Sequence, residues 1–130
     1  MRRRWATKRL PKHYDEIASD TSQIRHLFAT KAVSVVHCTL APRATSVAMH
    51  HILIEEIWYF ITGQGEVWRK DVDDTEEEVV TVFPGICLTI PTNIDFQFRN
   101  TGEDPLTFLC VTTPPWPGEH ASIKVESHYW

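Results

Sequence analysis

The chain has 130 residues, of which 42% are hydrophobic and 23% are charged, and its formal net charge is −4. This length predicts a single domain, and the composition is that of a globular protein. The acidic balance gives no reason to expect nucleic acid or an anionic membrane as a partner. No apolar run approaches the roughly 18 residues of a membrane-spanning helix, and none follows the basic start as in a secretory signal.

Short runs with period-two alternation dominate the chain and predict β-strands. No window shows a sustained apolar stripe at the helical period, so little helix is expected; one short helix over residues 12–22 is allowed. In residues 94–99 the alternation predicts one aromatic face and one solvated face, which carries Asp95, Gln97 and Arg99. The predicted strands are 23–29, 33–38, 55–61, 66–70, 79–82, 86–90, 94–99 and 106–112. Strands of this length and spacing predict an all-β sandwich or barrel.

The three cysteines, Cys38, Cys87 and Cys110, form no CxxC pair, and each lies in a β-branched, apolar run. A free cysteine in such a run behaves as a small core residue. We therefore expect a reducing, cytoplasmic environment rather than a disulfide framework.

The segment after the last predicted strand, residues 113–118, contains three prolines and cannot be a central strand. We expect a semi-rigid extended turn that lays the indole of Trp116 on the barrel. Two roles stay open for it: the rim or lid of a pocket, or plain cover for a sheet edge.

The stretch 49–63 places a histidine and a carboxylate on an apolar strand that ends in a glycine turn. Four residues separate His51 from Glu56, and six separate Glu56 from Gly63. This spacing resembles the first motif of the cupins, in which His-x-His is followed by a glutamate and then a glycine. Met49 stands where that motif has its first histidine.

A second set of residues resembles the second cupin motif. Gly85, Pro91 and Asn100 match its glycine, proline and asparagine at the correct spacings. Asn93 stands for a further glycine of the motif, and Phe96 stands for its histidine.

The resemblance covers about residues 33–112 and implies an all-β double-stranded β-helix, or jelly-roll barrel, with little or no helix. It predicts one cupin domain over residues 1–130, with a core at about 23–112, an N-terminal arm at 1–22 and a proline-rich segment at 113–130. Because cupins commonly dimerise by pairing sheets or exchanging N-terminal strands, it also implies a homodimer, to which the segment 4–10 is suited.

Cupins usually hold a transition metal with three histidines and a glutamate. The corresponding positions here are Met49, His51, Glu56 and Phe96. A thioether is a poor ligand for Mn(II), Fe(II) or Zn(II), phenylalanine cannot ligate, and a catalytic site usually needs three protein ligands. We therefore predict no complete metal site. A divalent transition metal would need a remodelled site on His51 and Glu56, completed by His50 through a bulge or by His37 from a nearby strand.

Strand parity places aromatic side chains on the same face as Glu56. The predicted ligand-binding residues are Met49, His51, Glu56, Trp58, Phe60, Phe96 and Phe98. Such a set is typical of a small-molecule pocket, and equally of a filled barrel core. His51 and Glu56 are also the candidate catalytic residues, because such a pair can orient a ligand by hydrogen bonds or act as general acid and base.

Two functions stay open. The first is a small-molecule-binding cupin whose ligand is uncharged or weakly polar, such as a sugar or an aromatic metabolite. The second is a metal-dependent cupin enzyme, isomerase-like or an oxygenase, with a remodelled site. A phosphate substrate would need a basic side chain inside the barrel, and the alternation puts Arg99 outside it.

Overall fold

The computed structural model describes residues 4–130, and within them the protein is all-β apart from one 3-10 turn, Glu119–Ala121. The strands are β1 Glu16–Ile17, β2 Gln23–Ala29, β3 Ser34–Leu40, β4 Met49–His51, β5 Glu55–Thr62, β6 Gly65–Asp71, β7 Glu77–Val82, β8 Cys87–Ile90, β9 Ile94–Asn100, β10 Leu106–Thr113 and β11 Ser122–Lys124. Every predicted strand is present, with ends that differ by two residues or less. No helix in this part of the chain is long and apolar enough to cross a membrane.

Two antiparallel sheets make up the fold. One has the order β1-β2-β3-β10-β5-β8 and the other the order β11-β4-β9-β6-β7, so most neighbours are distant in sequence. Two sheets with these crossovers form the predicted jelly roll. The chain passes from one sheet to the other between β3 and β4 and again between β4 and β5, which brings His51 and Glu56 to facing walls.

The short helix allowed over residues 12–22 does not form. The segment contains only the two-residue strand β1, because its backbone donors pair with other partners. The N–H of Asp15 donates to the carbonyl of Ile24 in β2, and the N–H of Ala18 donates to the carbonyl of Ser22, both at 2.8 Å. The first of these bonds and the pairing of β1 with β2 hold the arm against β2, and the second closes a turn within the arm.

The face of β9 predicted to be solvated is covered instead. Asp95 is 7% exposed and Gln97 is 4% exposed. The backbone N–H groups of Tyr129 and Trp130 both donate to Gln97 Oε1 at 3.0 Å, and the guanidinium of Arg99 lies 4.5 Å from the centroid of the Trp130 ring. The period-two pattern was right for the strand, but the C-terminal residues bury the side that it left polar.

Backbone geometry at two turns explains which residue types occupy two positions of the motifs. Gly63 has a φ of 82°, and a Cβ there would lie 2.5 Å from the carbonyl oxygen of Pro105. Asn93, which stands for a glycine of the second motif, has a φ of 64°. Asparagine adopts this left-handed conformation more readily than most residues, so it can replace glycine at that turn.

Candidate functional site

A cavity of about 80 Å³ lies between the two sheets. Residues of β2, β3, β5 and β10 form its wall on one sheet, and residues of β4 and β9 form its wall on the other. The N-terminal arm and the C-terminal segment complete the wall. This volume can hold several water molecules or a small organic molecule. The cavity is therefore the natural place to look for function.

The cavity contains a buried histidine–carboxylate pair. His51 on β4 and Glu56 on β5 bring Nε2 and Oε1 to 3.1 Å, and their side chains are 7% and 9% exposed. The indole N–H of Trp58 donates to Glu56 Oε1 at 3.0 Å, and the hydroxyl of Thr112 donates to Oε2 at 2.8 Å. Glu56 thus accepts from three side chains on three strands.

These contacts set the charge of Glu56. Burial raises the pKa of its carboxyl, but the hydrogen bond and charge of His51, with the bonds from Trp58 and Thr112, more than offset that effect. The pKa of Glu56 therefore lies below its ordinary value, and the group is ionised at neutral pH. An ionised Glu56 requires a proton on Nε2 of His51, which fixes the orientation of the ring.

The other ring nitrogen of His51, Nδ1, is buried and has no hydrogen-bond partner within residues 4–130. The ring packs beside Phe96, at 5.0 Å between centroids, and beside Trp116, at 5.9 Å. Leaving a buried polar atom unpaired costs about 1–3 kcal/mol. A partner for Nδ1 would therefore stabilise the site.

The four positions that correspond to the cupin metal ligands do converge. Met49 and Phe96 are direct register partners between β4 and β9, and all four positions line the cavity. Two of them carry apolar side chains, however, and Nε2 of His51 and Oε1 of Glu56 are already hydrogen-bonded to each other. Among the described residues, no group of three or more His, Cys, Asp and Glu side chains could hold a metal ion.

The two histidines that could have completed a metal site point elsewhere. His50 is on the opposite face of β4, where its Nδ1 lies 2.8 Å from Asp95 Oδ1. His37 alternates with Val36 and Cys38 of β3, which line the cavity, and so faces the other side of its sheet. The residues present do not fit a transition metal in the usual cupin geometry.

The predicted ligand-binding residues divide into two groups. Met49, His51, Glu56, Trp58 and Phe96 line the cavity. The other two do not.

Phe60 and Phe98 are completely buried, at 0% exposure, and do not line the cavity. Both pack against Phe108, with centroids 4.9 and 5.5 Å away, and Phe108 in turn stacks on Trp58 at 4.5 Å. Strand parity correctly predicted that these side chains face the interior, but it could not predict how deeply they lie. They fill the barrel core beneath the cavity.

Asp20 is a cavity residue that sequence reasoning missed. Its Oδ1 accepts hydrogen bonds from the N–H of Ser22 at 2.9 Å and from the Ser22 hydroxyl at 2.6 Å. Burial raises the pKa of Asp20, the bonds from Ser22 lower it, and the charge of Glu56 raises it further, so the net shift is upward. No local signal marked it, because it belongs to an irregular turn.

Strand parity could have found three further cavity residues: Cys38 on β3, and Cys110 and Thr112 on β10. Burial is the main cause that raises the pKa of Cys110 well above the ordinary value. For Cys38, a hydrogen bond with Cys110 lowers the pKa, whereas burial and the carboxylates of Asp20 and Glu56 raise it, with a net rise. Both groups are therefore neutral thiols at neutral pH.

The proline-rich segment takes part in the cavity wall. The backbone N–H of Trp116 donates to the hydroxyl of Ser34 at 3.0 Å, and Trp116 lines the cavity. Of the two roles left open for this segment, this position corresponds to the rim of a pocket.

The family model of the Cupin domain matches residues 36–112. The chain is a cupin. An uncharacterized protein of Methanocaldococcus jannaschii is 30% identical to it over 112 residues, which are 82% of this chain and 85% of that protein.

Solved structures share the cupin fold at low identity. The capsular polysaccharide assembling protein CapF from Staphylococcus aureus has a TM-score of 0.73 at 17% identity, covering 85% of this chain and 33% of that chain. Oxalate decarboxylase from Bacillus subtilis, which has Mn(II) centres, has a TM-score of 0.72 at 16% identity, covering 88% of this chain and 30% of its own. This cupin thus spans about a third of either structure, and the likeness shows the fold alone.

Proposed function

We propose that this cupin binds a small organic molecule in its cavity, without a complete transition-metal site. The observation that carries the proposal is the buried, unpartnered Nδ1 of His51, a residue that lines a cavity with aromatic walls. Buried polar atoms are normally paired, so an orphan acceptor at a cavity is typical of a place where a ligand supplies the partner.

The binding mode follows from the hydrogen bonds of the pair. When the His51 ring is neutral, Glu56 holds its Nε2–H side, so Nδ1 is left as an acceptor for an O–H or N–H group of the ligand. Trp58 and Phe96 supply apolar surface for the rest of the molecule. His51 and Glu56 are thus primarily binding and orienting groups, and any acid–base chemistry would act on a ligand already held this way.

The test is binding of benzyl alcohol, a small aromatic donor, followed by NMR at the Trp58 indole N–H and the His51 ring. We expect saturable shifts at both groups and a loss of affinity of about tenfold in His51→Ala, equivalent to one lost hydrogen bond. His50→Ala is the matched control, because it removes the adjacent histidine from the opposite face. Equal losses in both variants, or no shift at the cavity, would overturn the proposal.

The metal-dependent alternative keeps the support of fold relatives such as the Mn(II)-containing oxalate decarboxylase. Metal analysis of protein purified without chelator separates the two. We expect substoichiometric Mn, Fe, Ni, Cu and Zn. A stoichiometric metal that His51→Ala removes would establish the alternative instead.

We further propose that the protein acts in the cytoplasm as a homodimer. The three free cysteines support a reducing compartment. The outer face of β5, where Ile57 and Tyr59 are 46% and 48% exposed, supports self-association through that sheet. A monomeric mass by light scattering would contradict the dimer.

A further inference from the structure

We infer that the cavity selects an organic cation, a protonated primary amine on a small apolar or aromatic body, over neutral and anionic molecules of the same shape. This inference rests on the proposed function and names the class of its ligand. It follows from the charges that line the cavity and from the hydrogen-bonding capacity that remains unused there.

The charged groups of the cavity wall are predominantly acidic. Its carboxylates are Glu16, Asp20, Glu56 and Glu119, and no lysine or arginine within residues 4–130 lines it. His26 pairs with Glu16 at 2.8 Å, and His51 pairs with Glu56. Asp20 and Glu119 have no basic partner in the described part of the chain. The wall therefore carries an excess of negative charge, which attracts cations and repels anions.

The hydrogen-bonding capacity left unused in the cavity wall is mostly that of acceptors, and the hydroxyls of Ser19 and Ser122 can accept as well as donate. Nδ1 of His51 accepts from no described group, and Asp20 uses only Oδ1, in its two bonds with Ser22. An ammonium group carries three donors and no acceptor, so it matches this set.

The buried donors beside Glu56 are already used. The indole N–H of Trp58, the hydroxyl of Thr112 and Nε2 of His51 all bind the Glu56 carboxylate. A carboxylate or phosphate ligand has only acceptors to offer at neutral pH, so it would meet negative charge without gaining these donors. An anion would have to displace Glu56 from three partners.

Aromatic rings strengthen the preference for a cation. Trp58, Phe96, Phe108 and Trp116 line the same cavity as the carboxylates. The faces of such rings attract ammonium groups, and their surfaces bury an apolar body. The volume of about 80 Å³ restricts the ligand to a small molecule.

The test is a titration with benzylamine, benzyl alcohol and benzoate, three probes that share one skeleton and differ in charge. We expect benzylamine to bind about tenfold more tightly than benzyl alcohol, and benzoate to give no saturable shift at Trp58 or His51. Equal affinities for the amine and the alcohol would overturn the inference and leave the proposed function standing. No shift with any probe would overturn both.

The variant Asp20→Asn localises the effect. We expect it to weaken benzylamine binding about fivefold and to leave benzyl alcohol within about twofold. Asp73→Asn in the acidic loop between β6 and β7 is the control, because it makes the same change in net charge outside the cavity wall. If both variants weaken the amine equally, the preference comes from overall charge and the inference fails.

A second variant guards against a folding defect in Asp20→Asn. Glu119→Gln changes an exposed residue of the cavity wall. It should reduce the ratio of amine to alcohol affinity in the same direction, by about twofold. An unchanged ratio in both variants, with the folds intact by NMR, would also contradict the inference.

Discussion

Two adjacent residues of β4 make two histidine–carboxylate pairs on opposite faces of the strand. His51 pairs with Glu56 at 3.1 Å toward the cavity, and His50 pairs with Asp95 at 2.8 Å away from it. All four side chains are largely buried, the inner pair at 7% and 9% exposure and the outer pair at 17% and 10%. The chemistry of the two pairs is the same, so the difference between them lies in their surroundings.

The surroundings make the inner pair a site. Glu56 receives two further donors, from Trp58 and Thr112, and the free nitrogen of His51 is buried beside a cavity. The outer pair lies on the side of β9 that the C-terminal residues cover. A histidine beside a carboxylate is therefore weak evidence of function until the space around it is known.

The largest difference between the two pairs should appear in the free energy of unfolding when each carboxylate is removed in turn. Glu56→Ala leaves three buried donors unpaired, so we expect it to lower the free energy of unfolding by about 3–5 kcal/mol. Asp95→Ala leaves only His50 without its partner, and we expect a loss of about 1–2 kcal/mol. Urea denaturation at neutral pH measures both. Losses of equal size would show that the three donors on Glu56 do not distinguish the inner pair.

The pH dependence of stability should distinguish two carboxyl groups of the cavity wall, Glu56 and Asp20. Because the folded protein lowers the pKa of Glu56, this group contributes stability that is present above its ordinary pKa and lost as the pH falls through the folded value. Asp20 has the opposite sign: its pKa is raised, so its contribution is present below the ordinary value and lost as the pH rises through the folded one.

Two variants, each of which replaces a carboxyl with an uncharged amide, check these signs by urea denaturation between about pH 3 and pH 7. Relative to the unmodified protein, Glu56→Gln should become progressively less stable as the pH rises. Asp20→Asn should become progressively more stable over the same range. If the two differences have the same sign, the assigned pKa directions are wrong.

The smallest effect concerns the cysteines, which repeat the contrast between inside and outside. Cys87 is exposed on β8, whereas Cys38 and Cys110 are buried in the cavity wall with raised pKa values. A disulfide reagent should therefore label one thiol per folded chain rapidly and the other two only on unfolding. Cys87→Ser should remove the rapid phase. Its persistence in that variant, or its loss in Cys110→Ser, would place the reactive thiol in the cavity.

Local patterns predicted the strands and part of the site. Alternation over residues 94–99 placed β9, and the spacing from His51 through Glu56 to Gly63 predicted two inward-facing polar groups and the turn after them. These features depend on neighbours within one strand or one hairpin, which a pattern in the sequence records directly.

Other parts of the site depend on contacts between distant segments. Asp20 reaches the cavity because its carbonyl accepts the backbone N–H of Val47, at 2.9 Å, which fastens the arm to the loop before β4. Gln97 is buried because residues from the C-terminus cover it. In neither case does the sequence near the residue indicate which distant segment will position it.

The sequence by itself determined an all-β jelly roll and an inward pair, His51 and Glu56, because strand period and motif spacing are local properties. Only the tertiary structure decided that His51 has a free nitrogen, that Phe60 and Phe98 fill the core beneath the cavity, and that acidic groups from the arm and the C-terminal segment complete its wall. Depth, unused hydrogen-bonding capacity and summed charge arise when segments far apart in the chain enclose the same space.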